Sequence, residues 1–208
     1  GFIQELVASS KTAQETLVGQ RRTSVLGTNQ YPNLKETMAD KIEASKAVAS
    51  VSSSIKTIAP FRLAEHFEDI RLKTEKHVAK GGKQPVVFLL TIGNLAMRKA
   101  RAMFIQNFFG CAGFSTIESV GQKEIEKGLQ EAEKAHADVI VLCSSDEEYA
   151  TYGPELAAKA KEAKVTAKLV VAGNPKELIE PLTQAGISDF IHIRTNAVDT
   201  LRKYQTEI

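Results

Sequence analysis

From residue 85 onward, short apolar runs alternate with longer stretches in which apolar residues recur every three or four positions. The first run, Val86-Val87-Phe88-Leu89-Leu90, is uninterrupted and rich in β-branched and aromatic side chains, which suits a strand buried on both faces of a parallel sheet. A turn at Thr91-Ile92-Gly93-Asn94 follows. Asn94 is a good N-cap for a helix from Leu95 to about Gly110, with Met97, Ala100, Phe104 and Phe108 at helical spacing. The same reading predicts a strand at Ser115 to Ser119, a helix at about Gln122 to His136, and a strand at Val139 to Cys143. Ser144-Ser145-Asp146 then caps a helix running to about Ala163. Next come a strand at Ala167 to Val171, the loop Ala172-Gly173-Asn174-Pro175, a helix to about Gln184, a strand at Asp189 to Ile193 and a closing helix from Asn196. Five βα units of this length predict an α/β, flavodoxin-like (Rossmann-type) doubly wound five-stranded parallel sheet with strand order 2-1-3-4-5.

The pattern upstream is weaker. Residues 1 to about 20 place Phe2, Leu6 and Leu17 among good helix formers, and Arg21 to Asn33 breaks the helix at Gly27, Asn29 and Tyr31-Pro32-Asn33. Leu34 to Ser54 has little amphipathicity, which predicts a segment that is mobile or held by another part of a larger protein. Phe61 to Ala79 is firmer: Phe61, Ala64, Phe67, Ile70 and Leu72 fall on one side, Glu and Lys on the other. Gly81-Gly82-Lys83-Gln84-Pro85 reads as a hinge-like linker, so the chain divides into a helical arm, 1–84, and an α/β domain, 85–208. An arm that wraps another domain would expose Phe61, Phe67 and Ile70, which predicts self-association. The chain begins at Gly1 without Met, inside a helical pattern, as a fragment would.

Charge and composition narrow the function classes. A net charge of +2 over 208 residues, with no basic block of five or more, gives a nucleic acid no seat. The sequence shows no signal peptide and no apolar run near the length of a membrane span, which leaves the cytosol or an organelle matrix; the expectation is a cytoplasmic protein without a membrane partner. Cys111 and Cys143 lack metal-ligand spacing and read as two buried reduced thiols.

In a doubly wound sheet the ligand crevice is lined by the loops after the first, third and fourth strands. Here these are Thr91 to Asn94, Ser144 to Asp146 and Gly173 to Pro175. They are small and polar, as a ligand site requires, and as caps and turns also require. With Gly93 alone, the first loop matches neither the three-glycine dinucleotide fingerprint nor a P-loop, and the acidic cluster of a phosphorelay receiver is missing. His66, His77, His136 and His192 have no partner at metal-ligand spacing, so no metal is expected. Ser144, Ser145 and Cys143 have no identifiable base, and no catalytic residue is expected. Arg98, Lys99 and Arg101 put three cations in the first two turns of a helix, where the macrodipole disfavours them. They read either as a solvated face or as an interface with an acidic partner.

Three stretches carry a family resemblance: GNLAMRKARAMFIQNFFGCAGF, DVIVLCSSDEEYA and LVVAGNPKELIEPLTQAGISDFIH. Together they resemble the C-terminal cobalamin-binding-type domain of methylmalonyl-CoA mutases, most closely its form in the small, non-catalytic subunit of the bacterial heterodimeric enzyme. The upstream RRTSVLGTNQYPN and FRLAEHFEDIRLKTEK are similar to the segment joining that subunit's barrel to its C-terminal domain. The resemblance implies the adenosylcobalamin-dependent interconversion of methylmalonyl-CoA and succinyl-CoA, in propionate metabolism. In the family's catalytic subunit an Asp-x-His-x-x-Gly motif supplies the His that ligates cobalt and the Gly that admits the nucleotide tail. Aligned on Gly113-Phe114, those positions fall near Ala96, Arg98 and Arg101, and no His lies between His77 and His136. A permanently protonated Arg cannot ligate cobalt.

The resemblance therefore implies a degenerate domain serving structure and assembly in a heterodimer. The cofactor would sit in the catalytic large subunit, with none bound by this chain. Ser144-Ser145 and Gly173-Asn174 match family positions near the nucleotide tail, and with Thr91, Gly93 and Asn94 they are the candidate cofactor positions. The alternative expectation is a domain that still binds a corrinoid without a protein axial His.

Overall fold

The computed structural model describes residues 1–39, 41, 57, 58 and 60–208. The mobility expected of Leu34 to Ser54 falls largely outside the described residues. In chain order the described elements are α1 (Phe2–Gly19), α2 (Glu65–Ala79), β1 (Val86–Thr91), α3 (Leu95–Gly110), β2 (Ser115–Glu118) and α4 (Ile125–Lys134). They continue with β3 (Val139–Cys143), α5 (Tyr149–Glu162), β4 (Lys168–Val171), α6 (Ile179–Ala185), β5 (Asp189–Phe190) and α7 (Ala197–Glu207). The five strands pair in parallel in the order β2-β1-β3-β4-β5, the flavodoxin-like order expected from the sequence.

Strand alternation sorts the core into two layers. Val87 and Leu89 of β1, with Val139 and Val141 of β3, face α3 and α7. Phe88 and Leu90, with Ile140 and Leu142, face α4, α5 and α6. All eight side chains are buried, each contributing about 1.5–3 kcal/mol relative to exposure. The first layer is aromatic: Phe109 stacks on Phe114 at 5.8 Å and meets Phe108 and Tyr204 edge-on at 5.5 and 5.2 Å.

The arm is part of that first layer. Val18, Phe67 and Ile70 are buried in one cluster with α3 and α7, contrary to the exposure expected of Phe67 and Ile70. Arg71, buried on α2, latches the contact. Its Nη1 donates to Gly110 O at the end of α3 (3.1 Å), its Nη2 to Asn33 O (3.1 Å), and its Nε pairs with Glu75 (3.1 Å). The residues read as a hinge are also tied down: Lys83 Nζ donates to His136 O at 2.6 Å and Gln84 Nε2 to Gly113 O at 2.8 Å.

Two details differ from the sequence reading. β5 stops at Phe190 because the chain turns at His192, whose N–H donates to Thr195 Oγ1 (2.9 Å) rather than to a sheet neighbour. The inner face of α3 is Ala102, Ile105, Phe108 and Phe109, while Met97 and Ala100 are exposed. Continued toward the N-terminus, that inner face carries Arg98 and Arg101.

Candidate functional site

The loops after β1, β3 and β4 converge at the carboxyl ends of the strands, and Glu148 lies between the first two. Its carboxylate accepts from the Asn94 N–H (3.0 and 3.1 Å to its two oxygens), the Ser145 N–H (3.1 Å) and the Ser145 hydroxyl (2.9 Å), with the Ser144 hydroxyl at 2.5 Å. Ser145 Oγ in turn accepts from the Glu148 N–H at 3.4 Å, so Ser145 to Glu148 forms a capping box before α5. The Ser144 hydroxyl first, then the Asn94 and Ser145 donors, hold the Glu148 carboxyl down at about 2. Gly93 adopts φ +78°, and a Cβ there would collide with this carboxylate.

The remaining predicted residues frame this centre. Thr91 is buried, its N–H donating to Ser119 Oγ (2.9 Å) and its hydroxyl to Ser119 O (3.1 Å), which fastens β1 to the chain leaving β2. Asn94 caps α3, its side chain accepting from Met97 N–H at 3.1 Å. Gly173 is buried, with room for a Cβ limited by Asp146 Oδ1 and Tyr149 Cε2, both at 3.0 Å. The Tyr149 hydroxyl donates to Ala172 O (2.7 Å) and accepts from the Ser144 N–H (3.3 Å), tying the third-strand loop to the fourth. Asn174 is half-buried beside Gly173.

The three cations of α3 separate. Arg98 turns back over the first loop, Nη1 donating to Gly93 O at 3.2 Å, and its guanidinium lies against Gly121. Arg101 reaches the second loop and pairs with Asp146 at 2.9 Å. The Nε atoms of both arginines are buried without a hydrogen-bond partner. Lys99 points away to Glu118 at 2.6 Å, on an exposed edge.

Such an arrangement binds and neutralises charge rather than moving protons. A carboxyl held near 2 is a poor general base at neutral pH. Cys143 is fully buried with its thiol pushed far up by desolvation, and burial raises Cys111 to about 11, so neither supplies a thiolate. His66 pairs with Glu15 at 3.1 Å on the arm. Burial first, then the Arg194 and Arg101 charges, lower the proton affinity of His192. Among the described residues no three His, Cys, Asp or Glu side chains cluster as a metal site, and no helix is long and apolar enough to cross a membrane.

Glu148 was missed in the sequence, although Ser145-x-x-Glu148 is the capping-box spacing. Comparison with known proteins supplies what geometry cannot. The chain is 44% identical over 97% of its length to the methylmalonyl-CoA mutase small subunit of Porphyromonas gingivalis. This chain is homologous to methylmalonyl-CoA mutase small subunits. It is also 25% identical, over its whole length, to a probable methylmalonyl-CoA mutase small subunit of Mycobacterium bovis, and 26% identical over 78% to the small subunit of Streptomyces virginiae. The chain spans about a third of the length of the first two relatives, 32% and 31%, and 26% of the third. No protein-family model matches it.

Proposed function

We propose that this chain is the degenerate cobalamin-binding-like domain of a mutase small subunit, non-catalytic and serving structure and assembly with a catalytic large subunit. In this reading the large subunit holds adenosylcobalamin and interconverts methylmalonyl-CoA and succinyl-CoA, in the cytoplasm. The supporting observation is the filling of the crevice. Arg98 falls near the motif position of the axial His in the family resemblance, and its guanidinium lies over Gly93 O and against Gly121. The Glu148 carboxylate takes up the Asn94 and Ser145 N–H groups that a ligand would otherwise meet. The residues present do not fit a cobalamin held by a protein imidazole: none is on α3, and the Asn94 and Ser145 N–H groups are already engaged by Glu148.

The assembly role is tested by co-purifying a tagged large subunit with the small subunit containing this chain. A stoichiometric complex that carries mutase activity, and keeps it when Arg98 is changed to Ala, is expected. Failure of the full-length subunits to associate, or activity lost with Arg98→Ala while the complex stays intact, would contradict the reading.

A further inference from the structure

Helix α1 has two sides that call for a partner, and the described residues cover one of them. On the inner side Val7, Lys11 and Glu15 are half-buried and Val18 and Gly19 buried. Val18 joins the cluster of α3 and α7, Lys11 lies over Phe61 at 5.2 Å, and Glu15 pairs with His66 at 3.1 Å. The opposite side runs Phe2, Leu6, Ser9, Ala13 and Leu17, all exposed, with Ile3 beside it. Phe2 is 74% exposed, Ile3 65% and Leu6 53%. A helix facing only water turns polar residues outward, yet this side carries no charge along the whole helix: Glu5, Lys11 and Glu15 all lie off it.

The sizes of the side chains along this outer side complement themselves when the helix is reversed. Set antiparallel to a copy of itself about a two-fold axis between Ser9 and Ser10, Phe2 meets Leu17, Leu6 meets Ala13, and the two serines cross. The small residues sit at the crossing, where the helix axes come closest, and Leu6 faces a residue short enough to receive it. The spacing of four, three and four from Phe2 to Ala13 is that of a helix-pair seam. In the same register Glu5 faces Gln14, and Lys11 and Glu15 stay on the inner side, so no like charges meet.

We propose that the outer side of α1 docks on a second copy of this chain, as an antiparallel helix pair crossing at Ser9 and Ser10. Such a contact is isologous and closes at two copies. The 18 residues of α1 span about 27 Å, so one helix pair buries less than the roughly 1,600 Å² of a standard interface, and the dimer is weak and concentration-dependent. The seam differs from the one the sequence suggested, since Phe67 and Ile70 are buried within the chain. It does not depend on the function proposed above.

Sedimentation velocity of the chain between about 10 and 500 µM tests the pairing, with a mass rising from one chain toward two and a dissociation constant on the order of 100 µM expected. Leu6→Glu and Ala13→Lys each change an exposed side chain, so each is expected to keep the wild-type circular dichroism and to weaken association at least about tenfold. An equimolar mixture of the two variants is expected to associate again, because the antiparallel register sets the carboxylate introduced at position 6 of one copy against the ammonium introduced at position 13 of the other. A chain that keeps the mass of one copy up to 500 µM would overturn the proposal and leave this side to the remainder of a longer subunit. Association undiminished by Leu6→Glu, or a mixture that stays monomeric, would overturn it as well.

Discussion

Glu148 and Arg21 each carry a charge into partly buried surroundings, one on a βα loop and the other where α1 gives way to an irregular segment. Around the Glu148 carboxylate the fold supplies the donors itself, two backbone N–H groups and two hydroxyls, while the Nε atoms of Arg98 and Arg101 beside the same loops stay buried without a partner. Around Arg21 the fold supplies two acceptors and two aromatic faces and leaves one buried nitrogen without a partner. Both sites would pass as polar patches in composition. What separates the Glu148 carboxylate from the Arg21 guanidinium is whether the group's own hydrogen bonding is completed among the described residues, because an unmet buried group costs far more than a met one returns.

The sharpest way to disturb this contrast is Phe108→Ala. Phe108 is fully buried, belongs to the aromatic layer and lies beneath the Arg21 guanidinium, so the change is expected to cost about 3–5 kcal/mol in urea unfolding. It also strips one ring from beneath the Arg21 guanidinium. A loss below about 1 kcal/mol would show that the layer is not packed as described.

Next in size is Glu148→Ala, which leaves the Asn94 and Ser145 N–H groups to water and removes the capping box. About 1–3 kcal/mol of destabilisation is expected. This change carries a pH signature. The carboxyl is depressed to about 2 in the folded chain, against about 4.3 when unfolded. The unfolded chain therefore binds the extra proton between those values, and the stabilisation is complete above the unfolded value and lost as pH falls toward 2. Wild type minus variant stability is thus expected to be flat at neutral pH and to shrink below about pH 4. A difference that is constant down to pH 2.5 would exclude the ionised carboxylate as its source. The smallest effect belongs to Lys99→Ala: its pair with Glu118 is exposed, and a change within about 0.5 kcal/mol is expected. A larger loss would mean that the outer edge of α3 is more than a solvated ion pair.

Most of the fold was legible because its signals are local. The uninterrupted run in β1, the Asn94 cap and the Asn196 cap, whose side chain accepts from Asp199 N–H at 3.3 Å, lie where the sequence put them. β5 was read too long because Ile191 is buried as a strand residue would be, although the chain has already turned toward Thr195. The face of α3 was misread because Met97 and Ala100 share helical spacing with Phe104 and Phe108, while the actual inner face replaces apolar residues with Arg98 and Arg101 at its start. The burial of Phe67 and Ile70 depends on contacts with α3 and α7, far away in sequence. At the site, the three polar loops were visible and the carboxylate filling them was not, because a capping spacing says nothing about what the second loop reaches across to. Arg21 left no local trace: its partners are long-range aromatic rings and two residues of an irregular turn.

The central proposal is that the crevice at the carboxyl ends of the strands, where Glu148 and Arg98 hold the loops, does not bind cobalamin. Titrating this chain with adenosylcobalamin, by calorimetry and by the corrin absorption spectrum, tests it most directly. The account predicts no heat and no spectral change up to about 1 mM ligand, the concentration at which even a binding free energy of roughly −4 kcal/mol would show. Tight binding would contradict it, with a His-ligated spectrum tracing the contradiction to an imidazole outside α3 and a base-on spectrum to capture by the loops alone.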